Sequence, residues 1–377
     1  MREITVGLLG CGNVGGGFWQ LIIGARHHLA AHKNLSVDIR HILVRDVNRP
    51  RSVAVPRSHL TTDPWRILED PEVDVVVEAM GGFEPARTYL LEALRRGKHV
   101  VTANKVVMAR AWDELHEAAQ ASGACLFYEA AAGAVIPVIR SLPGLSAAPV
   151  RAVYGILNGT SNYILTRMAE GLSQADALAE AQRLGYAEPD PSDDLDGRDA
   201  AYKIALLAAL AFDWSPDLDG IEMKGIRNVS TEDILAAQEA GFDLRHVARA
   251  ERDESGQVKV SVAPVELPPG HPLYGIRGVE NAVVIESDVF GAVTLKGAGA
   301  GPGPTATALL GDVCRVVDRL VWAEPSPAVS PAGAAADGAG GGGPPAFAGG
   351  PRRGGVPGEL GGAGPRPGAT RGTGVRR

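Results

Sequence analysis

Cysteine is scarce: Cys11, Cys125 and Cys314 are the only three in 377 residues. They lie far apart and form no CxxC pair, which excludes a disulfide framework and makes a reducing cytoplasm the expected compartment. Although 45% of the residues are hydrophobic, no run approaches the roughly 18 apolar residues of a membrane span. Met1-Arg2-Glu3 leads straight into the strand-like Ile4-Thr5-Val6-Gly7-Leu8-Leu9, so neither an export signal nor a membrane partner is expected. A basic excess is also missing: 37 Lys and Arg face 44 Asp and Glu, for a net charge of −7, which argues against nucleic acid as a partner.

Large apolar side chains nearly vanish after Ala323, where the last 54 residues hold 17 Gly and 9 Pro. Such a segment cannot bury enough apolar surface to offset its ordering entropy, so residues 324–377 are expected to be a disordered tail. The tail carries six Arg against three acidic residues, which leaves the rest of the chain more acidic still, at −10. Its Gly and Arg lack the aromatic interleaving of a nucleic-acid tail.

Within the first 128 residues, short β-branched runs alternate with helical periods. Strands are expected at Ile4–Leu9, Val37–Val44, Val73–Glu78, His99–Thr102 and Cys125–Tyr128, with helices at Pro85–Arg96 and Met108–Ser122. This alternation predicts an α/β fold with a Rossmann-type, doubly wound parallel sheet. From Val150 onward the texture is α+β. A strand is expected at Val150–Leu157, helices at Ser161–Gly171, Ser173–Leu184 and Leu195–Phe212, and antiparallel strands at Gln257–Val262, Ala282–Ser287 and Ala292–Leu295. A last helical pattern, Thr305–Leu320, can return to the first sheet.

Gly10-Cys11-Gly12-Asn13-Val14-Gly15 fits G-x-G-x-x-G and stands between a strand and the helical Phe18–Ala30. Gly10 permits a tight turn, Gly12 lets backbone approach a pyrophosphate, and Gly15 allows helix to pack on strand. A dinucleotide is the expected cofactor. After the second strand, Arg45 suits the 2′-phosphate of NADP and Asp46 the free hydroxyl of NAD; NADP is expected, with NAD as the alternative.

Asp199 and Lys203 are four apart on one predicted helix face. Upstream, Glu188, Asp190, Asp193, Asp194 and Asp196 are five carboxylates within nine residues, which repel one another unless a cation is near. One reading is a solvated acidic loop with an ordinary ion pair. The other is a site in which Lys203 moves a proton at a substrate oxygen while acids hold a substrate amine. A divalent metal fits poorly, since no His is close and the Gly-spaced ligands of a hard-cation loop are missing.

The segment Ala181–Asp199, continuing to Lys203, resembles the signature of the homoserine dehydrogenase family. Gly155–Ile164 (GILNGTSNYI), Thr102–Lys105 (TANK) and Tyr128–Ala134 (YEAAAGA) are similar to its other blocks, so the resemblance covers about residues 3–320. It implies reversible NAD(P)-linked interconversion of L-homoserine and L-aspartate 4-semialdehyde, on the route to threonine, methionine and isoleucine. It also implies Lys203 as general acid/base, with Lys105 beside the nicotinamide and substrate. Glu188 and Asp199, with Asp194, would bind the substrate. Gly10, Gly12, Asn13, Val14, Gly15, Arg45, Thr102, Lys105, Gly185 and Gly303 would contact the cofactor. Glu129, Ala132, Ala134 and Ile136 match a structural sodium site built largely from carbonyls.

The implied domains are a dinucleotide-binding domain at 1–128 with a returning helix at 303–320, and a substrate and dimerisation domain at 129–302, in a homodimer or homotetramer. A monofunctional enzyme without the amino-acid-sensing ACT domain of many relatives is expected. Pro302 stands where the family usually has Gly, removing a backbone N–H near the cofactor. No cysteine has the setting of an acylating thiol, which sets aside a phosphorylating aldehyde dehydrogenase. The rival reading is a catalytically silent, dinucleotide-binding scaffold.

Overall fold

The computed structural model describes residues 1–323; the expected tail, 324–377, lies outside the described residues. Six strands form a parallel sheet: β1 (Arg2–Leu9), β2 (Leu35–Leu43), β3 (Leu60–Thr61), β4 (Val75–Glu78), β5 (His99–Thr102) and β6 (Leu126–Phe127). Their order is β3-β2-β1-β4-β5-β6, so the chain reverses direction across the sheet between β1 and β4. In such sheets a crevice opens beyond the carboxyl ends of the strands at that point.

Both faces of this sheet are covered, which is why β4 is apolar without alternation up to its last residue. On one face Phe18 and Ile22 of the helix Asn13–Lys33 join Leu309, Val313 and Val316 of the helix Pro302–Ala323 over Val6, Leu8, Val75 and Val77. On the other, Leu90, Leu94 and Leu115 pack against Leu9, Val76 and Val100. The C-terminal helix thus returns to the first sheet. Pro302 is its first residue, a position whose N–H has no helical partner anyway. The proline therefore costs the helix no hydrogen bond, while offering no N–H to the cleft it lines.

A second sheet follows: β7 (Ala152–Ile156), β8 (Glu222–Met223), β9 (Asp243–Arg252), β10 (Val258–Leu267), β11 (Glu280–Ser287) and β12 (Gly291–Ala298), in the order β12-β11-β7-β9-β10-β8. Its pairings are antiparallel except for the short β8 beside β10. Val153, Ala248 and Val283 meet Ile204 and Ala208 of the helix Arg198–Phe212.

Three expectations need correction. The single helix expected over Met108–Ser122 is two, Lys105–Arg110 and Trp112–Ser122, broken at Ala111. Asp113 and Glu114 in the first turn of the second suit a helix start. The helix expected from Leu195 begins at Arg198, because Gly197 takes φ 87° and a Cβ there would press on the His246 ring. The central strand β9 was not expected at all. Its charges read as surface, yet Arg245 is fully buried, paired to Asp243 at 2.8 Å and donating to Thr166 and Asn162. Among the described residues no helix is long and apolar enough to cross a membrane.

Candidate active site

At the carboxyl ends of β1 and β4 a cleft of about 460 Å³ is lined by Gly10, Gly12, Asn13, Arg45, Asp46, Arg49, Arg51 and Met80, among others. Gly10 has φ 99°, and a Cβ at Gly15 would run into the Gly10 carbonyl, so turn and helix close on each other only with glycine. Gly12 faces open space, with nothing within 4 Å of where its Cβ would be. It begins a 21-residue helix with no side-chain cap and no acid in the first turn. Free N–H groups at a long helix start, with room before them, fit a pyrophosphate.

Arg45 is exposed on the rim and makes no ion pair or hydrogen bond within the described residues. Asp46 spends one carboxylate oxygen on the Asn48 N–H, 2.8 Å away. Arg49 and Arg51, which the sequence reading did not single out, line the same cleft. Arg51 donates to the Asp46 and Arg49 carbonyls at 2.5 and 2.9 Å, which shapes the rim loop.

A second cleft, of about 620 Å³, takes its walls from both sheets' connections: Val14, Lys105, Asn158, Gly185, Glu188, Asp194, Asp199, Lys203 and Pro302 all line it. The helix Arg198–Phe212 presents Asp199 and Lys203 one turn apart, with Lys203 Nζ 2.7 Å from Asp199 Oδ2. Lys105 opens a different helix and brings its Nζ within 2.9 Å of Asp199 Oδ1. Lys203 also donates to the Leu157 carbonyl at 2.8 Å. Burial alone would push the Asp199 carboxyl up, but Lys105 and Lys203 outweigh it and hold the group below the usual carboxylate range. The Asp199 charge in turn raises Lys105.

The acidic loop resolves by partner. Asp193 pairs with Arg198 at 3.2 Å, Asp196 pairs with Arg198 and Arg227, and Asp190 accepts from Ser192. Glu188, Asp190, Asp193 and Asp194 all line the cleft, and of these Glu188 makes no side-chain hydrogen bond or ion pair within the described residues while Asp194 accepts from Asn158 at 2.6 Å. Burial, and then repulsion from Asp199, raise Asp194 above its ordinary value. Two lysines and five carboxylates thus line one cleft.

Thr102 and Gly303, expected as cofactor contacts, do not line either cleft. Thr102 is fully buried and donates to Glu78, while Gly303 lies inside the first turn of the helix from Pro302. Glu129 and Ala132 bound a one-turn helix, Glu129–Ala132, and with Ala134 and Ile136 of the turn that follows they are buried ahead of the helix Val138–Leu145. Both Glu129 carboxylate oxygens accept backbone N–H groups, from Ile139 and Arg140, each at 2.9 Å. Ala134 takes a left-handed φ of 47°, and the Ile136 carbonyl lies 2.8 Å from where a Cβ on Gly133 would be. The Glu129 and Ile136 oxygens are hard donors of the type an alkali cation takes, and each already accepts a backbone N–H. Among the described residues no group of three or more His, Cys, Asp or Glu could hold a metal ion.

The family profile described as homoserine dehydrogenase matches residues 137–314, and that of the homoserine dehydrogenase NAD binding domain matches residues 10–129. A homoserine dehydrogenase of Synechocystis is 41% identical over 87% of this chain and 76% of its own length; that of Bacillus subtilis is 40% identical over 85% and 74%. The crystal structure of a homoserine dehydrogenase from Thiobacillus denitrificans superposes with a TM-score of 0.82 at 38% identity, covering 88% of this chain and 76% of that one. A hyperthermophilic archaeal homoserine dehydrogenase in complex with NADPH gives a TM-score of 0.71 at 27% identity over 84% and 98%. The chain belongs to the homoserine dehydrogenase family of NAD(P)-dependent oxidoreductases.

Proposed function

We propose that the two clefts together perform the NAD(P)-linked interconversion of L-homoserine and L-aspartate 4-semialdehyde, with Lys203 as general acid/base. The observation that carries this reading is the Lys203–Asp199–Lys105 chain, at 2.7 and 2.9 Å, in a cleft that also includes Val14 of the glycine loop. When bound, the nicotinamide supplies or accepts the hydride. Lys203 removes the proton of the 4-hydroxyl as homoserine is oxidised, and returns it on reduction. Asp199 fixes both lysines at the hydroxyl end, and Lys105 keeps a positive charge beside the reacting carbon. Glu188 and Asp194 hold the substrate ammonium.

Gly10, Gly12, Asn13, Val14 and Gly15 carry the pyrophosphate, and Gly185, which lines the second cleft with Val14, contacts the cofactor. Arg45 favours NADP over NAD. A sodium ion at the carbonyls of Ala132, Ala134 and Ile136 beside Glu129 is structural and takes no part in the reaction. The dinucleotide-binding part is residues 1–128 with 303–320, and the substrate and dimerisation part is 129–302, in a cytoplasmic homodimer or homotetramer. The test mixes purified protein with L-homoserine and NADP or NAD at alkaline pH and follows absorbance of the reduced nicotinamide. A rise supports the reading. No turnover with either cofactor, from protein shown to be folded, leaves the silent scaffold.

A further inference from the structure

The last residue of β4 is Glu78, a carboxylate with no exposed surface. In register it faces Leu9 of β1 on one side and Thr102 of β5 on the other, so it sits where the crevice of the first sheet opens. Burying a carboxylate is costly unless every lone pair is used, and an apolar residue would serve a strand end at less cost. Here the lone pairs are used on two separate loops. Oε1 accepts the N–H groups of Met80 at 2.7 Å and Gly81 at 3.2 Å, on the loop that walls the dinucleotide cleft. Oε2 accepts the Thr102 hydroxyl at 2.5 Å.

That hydroxyl in turn accepts the Asn104 N–H at 3.0 Å, and Asn104 Nδ2 donates to the Gly82 carbonyl at 2.8 Å and reaches Glu78 Oε1 at 3.4 Å. Asn104 Oδ1 caps the next helix by accepting from Val107 N–H at 3.1 Å. The first residue of that helix is Lys105, whose Nζ lies on Asp199. A chain of short contacts therefore runs from Glu78 through Thr102 and Asn104 to the start of the Lys105 helix. The same carboxylate fixes the cofactor-side loop.

We infer that Glu78 is a positioning residue for the reaction: it locks the β4 and β5 loops together so that Lys105 reaches Asp199 and the substrate in register with the cofactor cleft. The inference rests on the reading of Lys105 as a residue at the reacting centre. Glu78 touches neither substrate nor cofactor, and acts through Thr102 and Asn104. A misplacement of about 1 Å at a reacting group can cost up to about a hundredfold in rate.

The test is a double-mutant cycle on turnover with saturating homoserine and NADP, using Glu78→Gln, Lys105→Ala and both together. Glu78→Gln keeps the volume but places an amide where a carboxylate accepted, and is expected to lower kcat about tenfold. In the Lys105→Ala background the same change is expected to cost less than about twofold, because the residue it positions is already gone. An equal loss in both backgrounds, or no loss in either, overturns the inference. Wild-type turnover, measured alongside, tests the reading of the enzyme separately from this ratio. If Glu78→Gln does not fold, Thr102→Val removes the connecting hydroxyl at constant shape and is judged by the same ratio.

Discussion

Asn158 donates its side-chain amide to Asp194 over 2.6 Å, and the same nitrogen reaches Asp199 at 2.8 Å. Its amide orientation is set by the other end, since Oδ1 accepts the Ser161 N–H and caps the helix Gly159–Ala169. Two carboxylates of the cleft are thereby held at a fixed spacing by one neutral group. Asn158→Ala should raise the KM for homoserine about tenfold or more, because both carboxylates lose a hydrogen-bond donor. Steady-state kinetics check this, and an unchanged KM with unchanged kcat would remove Asn158 from the site.

Glu188 faces the cleft without an ion pair or side-chain hydrogen bond within the described residues. Glu188→Gln should therefore act on homoserine binding, raising KM by roughly tenfold while kcat changes little. A fall in kcat at constant KM would assign Glu188 to the chemistry instead.

Arg45 should decide between the two cofactors. Only NADP carries the 2′-phosphate that a guanidinium grips bidentately, so Arg45→Ala should weaken NADP by roughly ten- to a hundredfold and NAD hardly at all. Fluorescence titration of each cofactor reads this out. Equal losses would move the preference to Arg49 or Arg51, which line the same cleft.

What could be read from the sequence was what depends on local spacing. The glycine loop announces itself because tight turns and close backbone approach admit few other residues, and Asp199 with Lys203 appears as a helical i,i+4 pair. Charges that fold inward were not legible. Arg245 and Asp243 neutralise each other inside β9, so a core strand carries a surface-like sequence. Glu78 gives no sign in the sequence that its partners are Met80 and Thr102. Thr102 fell within a recognisable block, yet its hydroxyl points into the fold rather than the cleft, a direction that spacing does not encode.

The cation site proposed beside Glu129 predicts a pH-dependent response to salt. Burial, and then the Asp312 carboxylate, push Glu129 up to about 7 from the ordinary 4.5. The folded protein therefore binds this proton more tightly than the unfolded chain. Its contribution to stability is fully present below about pH 4.5 and is lost as pH rises through about 7, a change on the order of 3 kcal/mol at most. A sodium ion on the neighbouring carbonyls would favour the charged carboxylate and offset that loss. At pH 8, replacing choline chloride by sodium chloride at equal ionic strength should raise Tm by roughly 3 °C, and by less at pH 5. Equal Tm in the two salts at pH 8 would reject the cation site.

Turnover of wild type and Lys203→Ala, measured side by side with saturating homoserine and NADP, bears most directly on the site as a whole. Lys203 donates to the Leu157 carbonyl and pairs with Asp199, and it is the lysine assigned to move the hydroxyl proton. The predicted result is steady reduction of NADP by wild type and a turnover lower by roughly 10² to 10⁴ in the variant, with NADP affinity unchanged in a binding titration. Folded Lys203→Ala protein that keeps more than about a tenth of wild-type turnover would contradict the assignment of Lys203 as general acid/base.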